Sequence, residues 1–314
     1  SRASPGLVSA DIHRTSFHNL IGGIDPANGS EYVHYEWACG GNGGLMEADG
    51  PSAMAAIDWG DLTTVQSTEV LENRFPLHVE RAQLGIDSGG PGRHRGGFGM
   101  RRSLRLTRGT ASYSLLSDGA IMPPFGIHGG ESGAPVDCYV IKKNGGEHHF
   151  SRPGKVGGYL LSEGDTLVLQ SAAGGGYGDA LSRKTNAVSE DVKNGLVSIE
   201  IAEEIYGVQF NGANEVDENK TGGKRAELLA SRAKIKVKAV DHDPYVPSGP
   251  SKRRLISLNP LDIKTFGLKI DQKIELLDVQ GPPLRGWVKS DETVDLGTVS
   301  MDTNGMLLLG VEDG

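Results

Sequence analysis

The sequence predicts an α+β, β-rich fold: a layered β-sheet domain with short helices, followed by a small C-terminal β-barrel-like domain. Three observations carry this expectation. Runs that alternate apolar with polar residues, such as Tyr32-Val33-His34-Tyr35-Glu36-Trp37, have the period of strands. Glycine supplies 46 of 314 residues without a collagen-like period, so the excess marks turns and close backbone approaches. After Asp179 the apolar spacing lengthens to that of helices.

Residues 1 to about 30 read as polar and loop-like, with a weakly apolar stretch at Phe17 to Ile24. The strand around Tyr32–Trp37 runs into Cys39-Gly40-Gly41-Asn42-Gly43-Gly44, a glycine turn, and Asp49-Gly50-Pro51 makes another. Ser52 to Leu62 is expected as a short helix or covering loop, and Glu69 to Pro76 as a connector. Strands are predicted at Leu77–Ile86, Arg101–Leu106, Ser112–Leu116, Cys138–Lys142 and Thr166–Gln170, separated by turn chemistry at Asp118-Gly119, Asn144-Gly145-Gly146 and Glu163-Gly164-Asp165. The spacing suits a sandwich or a related layered fold.

A helix is predicted over Asn186–Asn194, ended by Gly195, and a second from an N-cap at Ser198 to Tyr206, ended by Gly207. Phe210–Gly223 reads as loop and Lys224–Arg232 as helix. Val246-Pro247-Ser248-Gly249-Pro250 reads as a linker. In the tail, Leu261–Phe266 is helical, whereas Ile274–Leu277, Leu284–Val288 and Met306–Leu309 look like strands. The expected organisation is a glycine-rich β domain at 1–180, a helical segment and connector at 181–245, and a small β domain at 246–314.

The most tightly punctuated stretch is Asp87-Ser88-Gly89-Gly90-Pro91-Gly92-Arg93-His94-Arg95-Gly96-Gly97-Phe98-Gly99. Six glycines and a proline exclude a helix. The turns they permit can point consecutive N–H groups into one anion-binding concavity. Arg93 and Arg95 are candidates to hold a phosphate or carboxylate; the competing reading is that both brace a turn through salt bridges. Asp87 and Ser88 add an acceptor and a hydroxyl. His128, in Gly126-Ile127-His128-Gly129-Gly130, and Asp179, after Gly176-Tyr177-Gly178, complete the substrate- or phosphate-binding candidates. No residue is singled out as a catalytic nucleophile or base: Ser88 and Ser132 lack the G-x-S-x-G context.

Three blocks together resemble one known family. Glu72-Asn73-Arg74-Phe75-Pro76-Leu77 precedes the central loop; Pro123-Pro124-Phe125-Gly126-Ile127-x-Gly129-Gly130-x-x-Gly133 follows it; then come Gly174-Gly175-Gly176-Tyr177-Gly178-Asp179, Asn194-Gly195-Leu196-Val197-Ser198-Ile199-Glu200 and Tyr206-Gly207-Val208. Order and spacing resemble the B component of the hydantoinase B/oxoprolinase family, whose members include ATP-dependent hydantoinases, 5-oxoprolinases and acetone/acetophenone carboxylases. The resemblance implies a subunit, or C-terminal part, of a multi-subunit ATP-dependent hydrolase acting on a phosphorylated cyclic amide, inactive alone. It implies a hydantoinase A-like partner carrying ATP and Mg, and an N-terminal half or separate subunit of the B component carrying a divalent metal (Zn, Mn or Fe). This chain alone is expected to bind neither. An ATP-dependent ketone carboxylase and a noncatalytic scaffold are the alternatives.

The residues agree with those expectations on several counts. There is no Walker A motif, no H-E-x-x-H and no C-x-x-C. A net charge of −8 argues against nonspecific nucleic-acid binding, although Arg93 to Arg108 is locally rich in arginine. No run of 18 apolar residues is present, so no membrane span is expected. Two cysteines allow one disulfide at most; buried thiols in a reducing cytoplasm are the simpler expectation. A start at Ser1 without a hydrophobic leader suggests a C-terminal part, a processed piece or a subunit of a split protein.

Overall fold

The computed structural model describes residues 5–14, 17–55, 65–213, 215–240, 245–248, 251–278 and 281–312. Two antiparallel sheets come first. Their elements are β1 (Phe17–Asp25), β2 (Ser30–Ala38), α1 (Thr68–Arg74), β3 (Leu77–Leu84), β4 (Met100–Leu106), β5 (Thr110–Leu116), β6 (Asp137–Ile141), β7 (Glu147–His149), β8 (Lys155–Ser162) and β9 (Thr166–Gln170). One sheet has the order β2-β1-β5-β8, the other β3-β4-β9-β6-β7.

The inner faces of the two sheets share one core. Ile21, Ala111, Tyr113, Leu115 and Leu161 come from the first sheet, and Leu104, Leu106, Cys138, Val140, Leu167 and Leu169 from the second. Strict alternation makes this possible: Ala111, Tyr113 and Leu115 are buried while Thr110, Ser112 and Leu116 are exposed. Each fully buried Leu or Ile contributes about 1.5–3 kcal/mol. The expected sandwich is therefore present. Residues 17–25 correct the loop-like expectation for the N-terminal stretch. Gly22 and Gly23 weaken the local strand signal, but pairing with β2 on one side and β5 on the other makes β1 a strand within the sheet.

The helical segment contains α2 (Thr185–Lys193), α3 (Ile199–Glu204) and α4 (Glu218–Ser231). Its predicted stops hold: Gly195 sits at φ 67°, where a side chain would be strained, and Ser198 Oγ accepts from the Ile201 N–H. The loop expected up to Gly223 is shorter, because Asp217 caps α4 and Arg225 ties the helix to the carbonyls of Tyr206 and Arg183. Those contacts outweigh two helix-interior glycines. Phe98 from the central loop lies in the same core as Val188, Ala202, Tyr206 and Val208.

The last unit consists of β10 (Lys236–Val240), β11 (Tyr245–Ser248), β12 (Ser251–Leu258), α5 (Pro260–Thr265), β13 (Lys273–Leu276), β14 (Leu284–Ser290), β15 (Thr298–Asp302) and α6 (Thr303–Leu309). Its sheet runs β10-β15-β12-β14-β13, with β11 paired to β12. Edge strands β10 and β13 do not meet, so the barrel-like expectation is corrected to an open mixed sheet. The expected linker at Val246–Pro250 overlaps β11, whose backbone pairs with β12, and its last two residues lie outside the described residues. The sheet also recruits β10, from before position 246. The apolar run at Met306–Leu309 is helical, because Asp302 caps it and Gly310 ends it in the left-handed region. The stretch expected at Ser52–Leu62 falls largely outside the described residues. No helix among the described residues is long and apolar enough to cross a membrane.

Candidate functional site at the end of a glycine bundle

The loops leaving one end of the sandwich are woven into a bundle of extended backbones. Residues 172–178 run through its centre. The N–H of Gly174 bonds to Gly97 O, that of Gly175 to Asp11 O and that of Gly176 to Glu131 O, each at 2.9 Å. Their carbonyls accept from Gly90, Gly44 and Ile127 at 2.8–3.0 Å. Successive residues thus bond in different directions, as in an extended helix of about three residues per turn. A Cβ on Gly174 would strike the Asn42 carbonyl, and one on Gly176 the Pro91 carbonyl. Backbone packed on backbone is the reason for the glycines here.

This weave uses the N–H groups that an anion nest in the central loop would need. Gly90 donates to Gly174, Arg93 to Gly178, His94 to Tyr177, Gly96 to Gly90 and Gly97 to Asn42. Arg95 N–H goes to Asp49 Oδ1 at 2.9 Å, and Gly99 N–H to Ser88 Oγ at 3.0 Å.

The six candidates part company. Asp87, at φ 58°, accepts from Ser198 N–H at 2.7 Å and anchors α3. Ser88 is buried and donates to Gly85 O. Arg95 forms a two-point pair with Asp191 and stacks over Phe98, 4.2 Å from the ring centroid. These three lie in the packing between loop and helices. Arg93, His128 and Asp179 gather instead around Tyr177-Gly178. Arg93 N–H bonds to Gly178 O and Gly178 N–H to Ile127 O; the His128 and Tyr177 rings are 5.0 Å apart. Asp179 caps the turn at Ala180–Ser182 and pairs with both terminal nitrogens of Arg232 at 2.6 and 2.7 Å. That pairing holds the Asp179 carboxyl below its ordinary value.

Arg93 differs from the other arginines nearby. Its guanidinium is exposed and donates to the Met46 carbonyl at 2.9 Å, and no carboxylate partner for it occurs among the described residues. Beyond Arg95, the rest of the arginine-rich run is spent on separate partners: Arg101 on the Tyr139 hydroxyl, Arg102 on Glu36, Arg105 on Glu80, Arg108 on Asp25.

Sequence reasoning missed His94, Asp49, Arg183 and Asp191. Arg183 bonds Asp49 through both terminal nitrogens at 2.6 and 2.8 Å, and also Asp191 at 2.9 Å. Burial would raise the Asp49 carboxyl, but the hydrogen bonds and charge of Arg183 hold it low. Half-buried His94 sits 3.9 Å from Asp49. Burial lowers its basicity, and Arg93, Arg183 and Lys184 lower it further against the pull of Asp49. An imidazole of lowered basicity beside a guanidinium that has no carboxylate partner among the described residues is the chemical content of this corner. The adjacency of His94 to both arginines was its one signal in sequence. Among the described residues, no group of three or more His, Cys, Asp or Glu side chains could hold a metal, so no residue here is assigned to one.

Comparison with known proteins matches this architecture. The family model "Hydantoinase B/oxoprolinase" matches residues 1–180. The beta chain of the caprolactamase of Pseudomonas jessenii is 31% identical over 236 residues, covering 72% of this chain and 39% of that protein. A protein of Pseudomonas sp. (strain NS671), assigned as the B component of a D-/L-hydantoinase, is 30% identical over 221 residues, covering 70% and 36%. The chain thus spans well under half the length of either relative. The nucleotide-free structure of acetone carboxylase, an ATP-dependent enzyme, shares the fold at a TM-score of 0.64 and 23% identity, over 74% of this chain and 35% of that one. With the family model covering more than half of its residues, the chain belongs to the hydantoinase B/oxoprolinase family.

Proposed function

We propose that this chain forms part of the B component of an ATP-dependent hydrolase of the hydantoinase, oxoprolinase or lactamase type, acting with an A-type partner. An amide is a poor electrophile, and phosphorylating its oxygen makes it a good one. ATP and Mg belong, in this reading, to the A-type partner, and a divalent metal to a segment of the B component outside these residues. What this chain supplies is a cation for the activated group and a proton acceptor beside it. Arg93 holds the phosphoryl oxygens. His94, kept neutral, takes a proton from the attacking water. Asp49, 3.9 Å from the imidazole, supplies the negative charge that stabilises the imidazolium so formed, and Arg183 fixes Asp49. The bundle supplies rigidity, so these groups need little reorganisation.

The observation that carries this reading is Arg93: an arginine without a carboxylate, where four glycine loops of a hydantoinase B family chain converge. The test is ATP turnover by the assembled complex on caprolactam, hydantoin, 5-oxoproline and acetone, with and without bicarbonate. Ring opening coupled to ATP and indifferent to bicarbonate supports the hydrolase. Bicarbonate-dependent formation of a β-keto acid supports the carboxylase instead. Full turnover by a folded Arg93→Ala complex would leave this chain a scaffold.

A further inference from the structure

Each sheet of the sandwich ends in two edge strands, β2 and β8 in one, β3 and β7 in the other. An edge strand offers unpaired backbone to another chain, and folds commonly blunt it with short length, charges or bulges. Three of these edges are blunted. β7 has only three residues. β3 carries Glu80 and Arg81 and breaks register between Val79 and Arg81. β8 carries Lys155 and Gly157-Gly158, and its pairing with β5 shifts between Tyr113 and Leu115.

β2 has none of these devices. It runs for nine residues in unbroken register with β1. It contains no proline, lysine or arginine, and Glu31 is its one exposed charge. Tyr32, Val33, Tyr35 and Trp37 are residue types that favour strands. Among the described residues, the β2 backbone pairs with β1 alone.

A cleft of about 520 Å³ follows this edge, with Phe75 on its far side. Residues 33–37 border it in succession. Successive side chains of a strand point to opposite faces. Five consecutive residues therefore share one cleft only where it runs along the backbone edge itself. The outer row beside that edge is already ordered. Trp37 Nε1 donates to the Tyr35 hydroxyl, and His18 of β1 bonds the same hydroxyl at 2.5 Å. A strand laid here immobilises few further side chains.

The occupant follows from what this chain lacks. It matches 39% and 36% of the two Pseudomonas relatives, so more than half of each has no counterpart here. We propose that the β2 edge takes up an extended segment from the remaining part of the B component, which adds a fifth strand to the β2-β1-β5-β8 sheet. Backbone hydrogen bonds to residues 33–37 hold that segment, and side chains on its outer face lie beside Val33 and Tyr35. The proposal rests on the reading that this chain is one part of a B component, and it concerns assembly, not catalysis.

The test is amide hydrogen exchange of the chain alone and of the assembled complex used for ATP turnover. About every second N–H of an antiparallel edge strand faces outward. Those of β2 should exchange freely in the chain alone and at least 100-fold more slowly in the complex. A benzoylphenylalanine photocrosslinker in place of Val33 should attach to another segment of the B component. Val33→Lys, at a position 65% exposed, should weaken assembly at least tenfold with unchanged circular dichroism, whereas Leu160→Lys, 61% exposed on the β8 edge, should not. Equal exchange in the two states would overturn the proposal, as would outward amides already protected in the chain alone. So would a crosslink to the A-type partner or to a second copy, or full assembly of Val33→Lys. ATP-coupled turnover with β2 unprotected defeats this inference and spares the proposed function; a protected β2 in a complex without turnover does the reverse.

Discussion

Arg95 and Asp191 meet through two parallel N–H···O bonds, Nε to Oδ2 at 3.0 Å and Nη2 to Oδ1 at 3.2 Å, although they are 96 positions apart in the chain. The pair joins the central loop to α2 and is largely buried, with side chains 12% and 9% exposed. Removing one partner would strand the other charge. Arg95→Ala is expected to cost about 3 kcal/mol, and Arg93→Ala less than about 0.5 kcal/mol. Urea unfolding of the two variants measures the difference; equal losses would contradict the separate roles assigned to them.

The bundle makes a sharper claim. Alanine at Gly174 or Gly176 places a methyl group on a neighbouring carbonyl, and backbone cannot move aside as a flexible side chain can. Each single substitution is expected to abolish cooperative folding, read as loss of a thermal transition. Gly222→Ala, in α4 with open space around it, should instead stabilise slightly, by about 0.5–1 kcal/mol.

Asp25 accepts two hydrogen bonds from Arg108, at 2.7 and 2.6 Å, and another from the Ala27 N–H. The Arg108 hydrogen bonds are the main cause that lowers its pKa to about 2. A depressed carboxylate stabilises the fold fully above its unfolded pKa, about 3.9, and that contribution fades as pH falls through about 2. NMR titration of the Asp25 carboxyl carbon should show a midpoint near 2. Arg108→Ala should return it towards the ordinary range.

Both cysteines are free and buried. Burial pushes the Cys138 thiol up to about 12, although the Tyr113 hydroxyl 3.2 Å away pulls it slightly back. Burial raises Cys39 as well, with Glu36 adding to it. At about pH 8 the native chain should therefore react very slowly with a thiol reagent, whereas the denatured chain should release two equivalents at once. A rapid first equivalent from the native chain would show that one thiol is open to solvent.

Arg285 of β14 binds the Pro123 carbonyl at 2.5 Å, Ser132 Oγ at 2.7 Å and Glu275 at 2.6 Å. It is one strap between the C-terminal sheet and the Pro123–Gly133 loop, beside the bonds from Ser132 Oγ to Glu275 and from His128 N–H to Gly281 O. Arg285→Ala is expected to speed proteolytic release of the C-terminal unit several-fold without unfolding the sandwich. Unchanged digestion would mean that the strap contributes little to holding the unit.

Much of the sandwich was legible because alternation is local: Thr166–Gln170 was read with its bounds intact, and Ser198 announced its helix as an N-cap residue. The tail was harder. A four-residue apolar run such as Met306–Leu309 fits a strand or a helix equally well, and only Asp302 and Gly310, at the two ends, signalled the helix. In the site, Arg93 and Arg95 look interchangeable two residues apart. What distinguishes them is Asp191, whose proximity depends on how α2 folds back over the loop. Likewise Arg183 and Asp49, 134 residues apart, share no motif.

In an ordinary sandwich the loops are where new specificity arises, since they tolerate insertion and exchange of side chains. Here the central loops are locked together through their main chains, and their interior has no room for a side chain to vary. The related proteins bear the names of a lactam, hydantoins and acetone. Such variety cannot be written inside the weave. In the function proposed above, it is written at the fringe, in positions such as Arg93, His94 and His128, or on the partner. The bundle then acts as a fixed mount on which evolution can change the tool but not the handle.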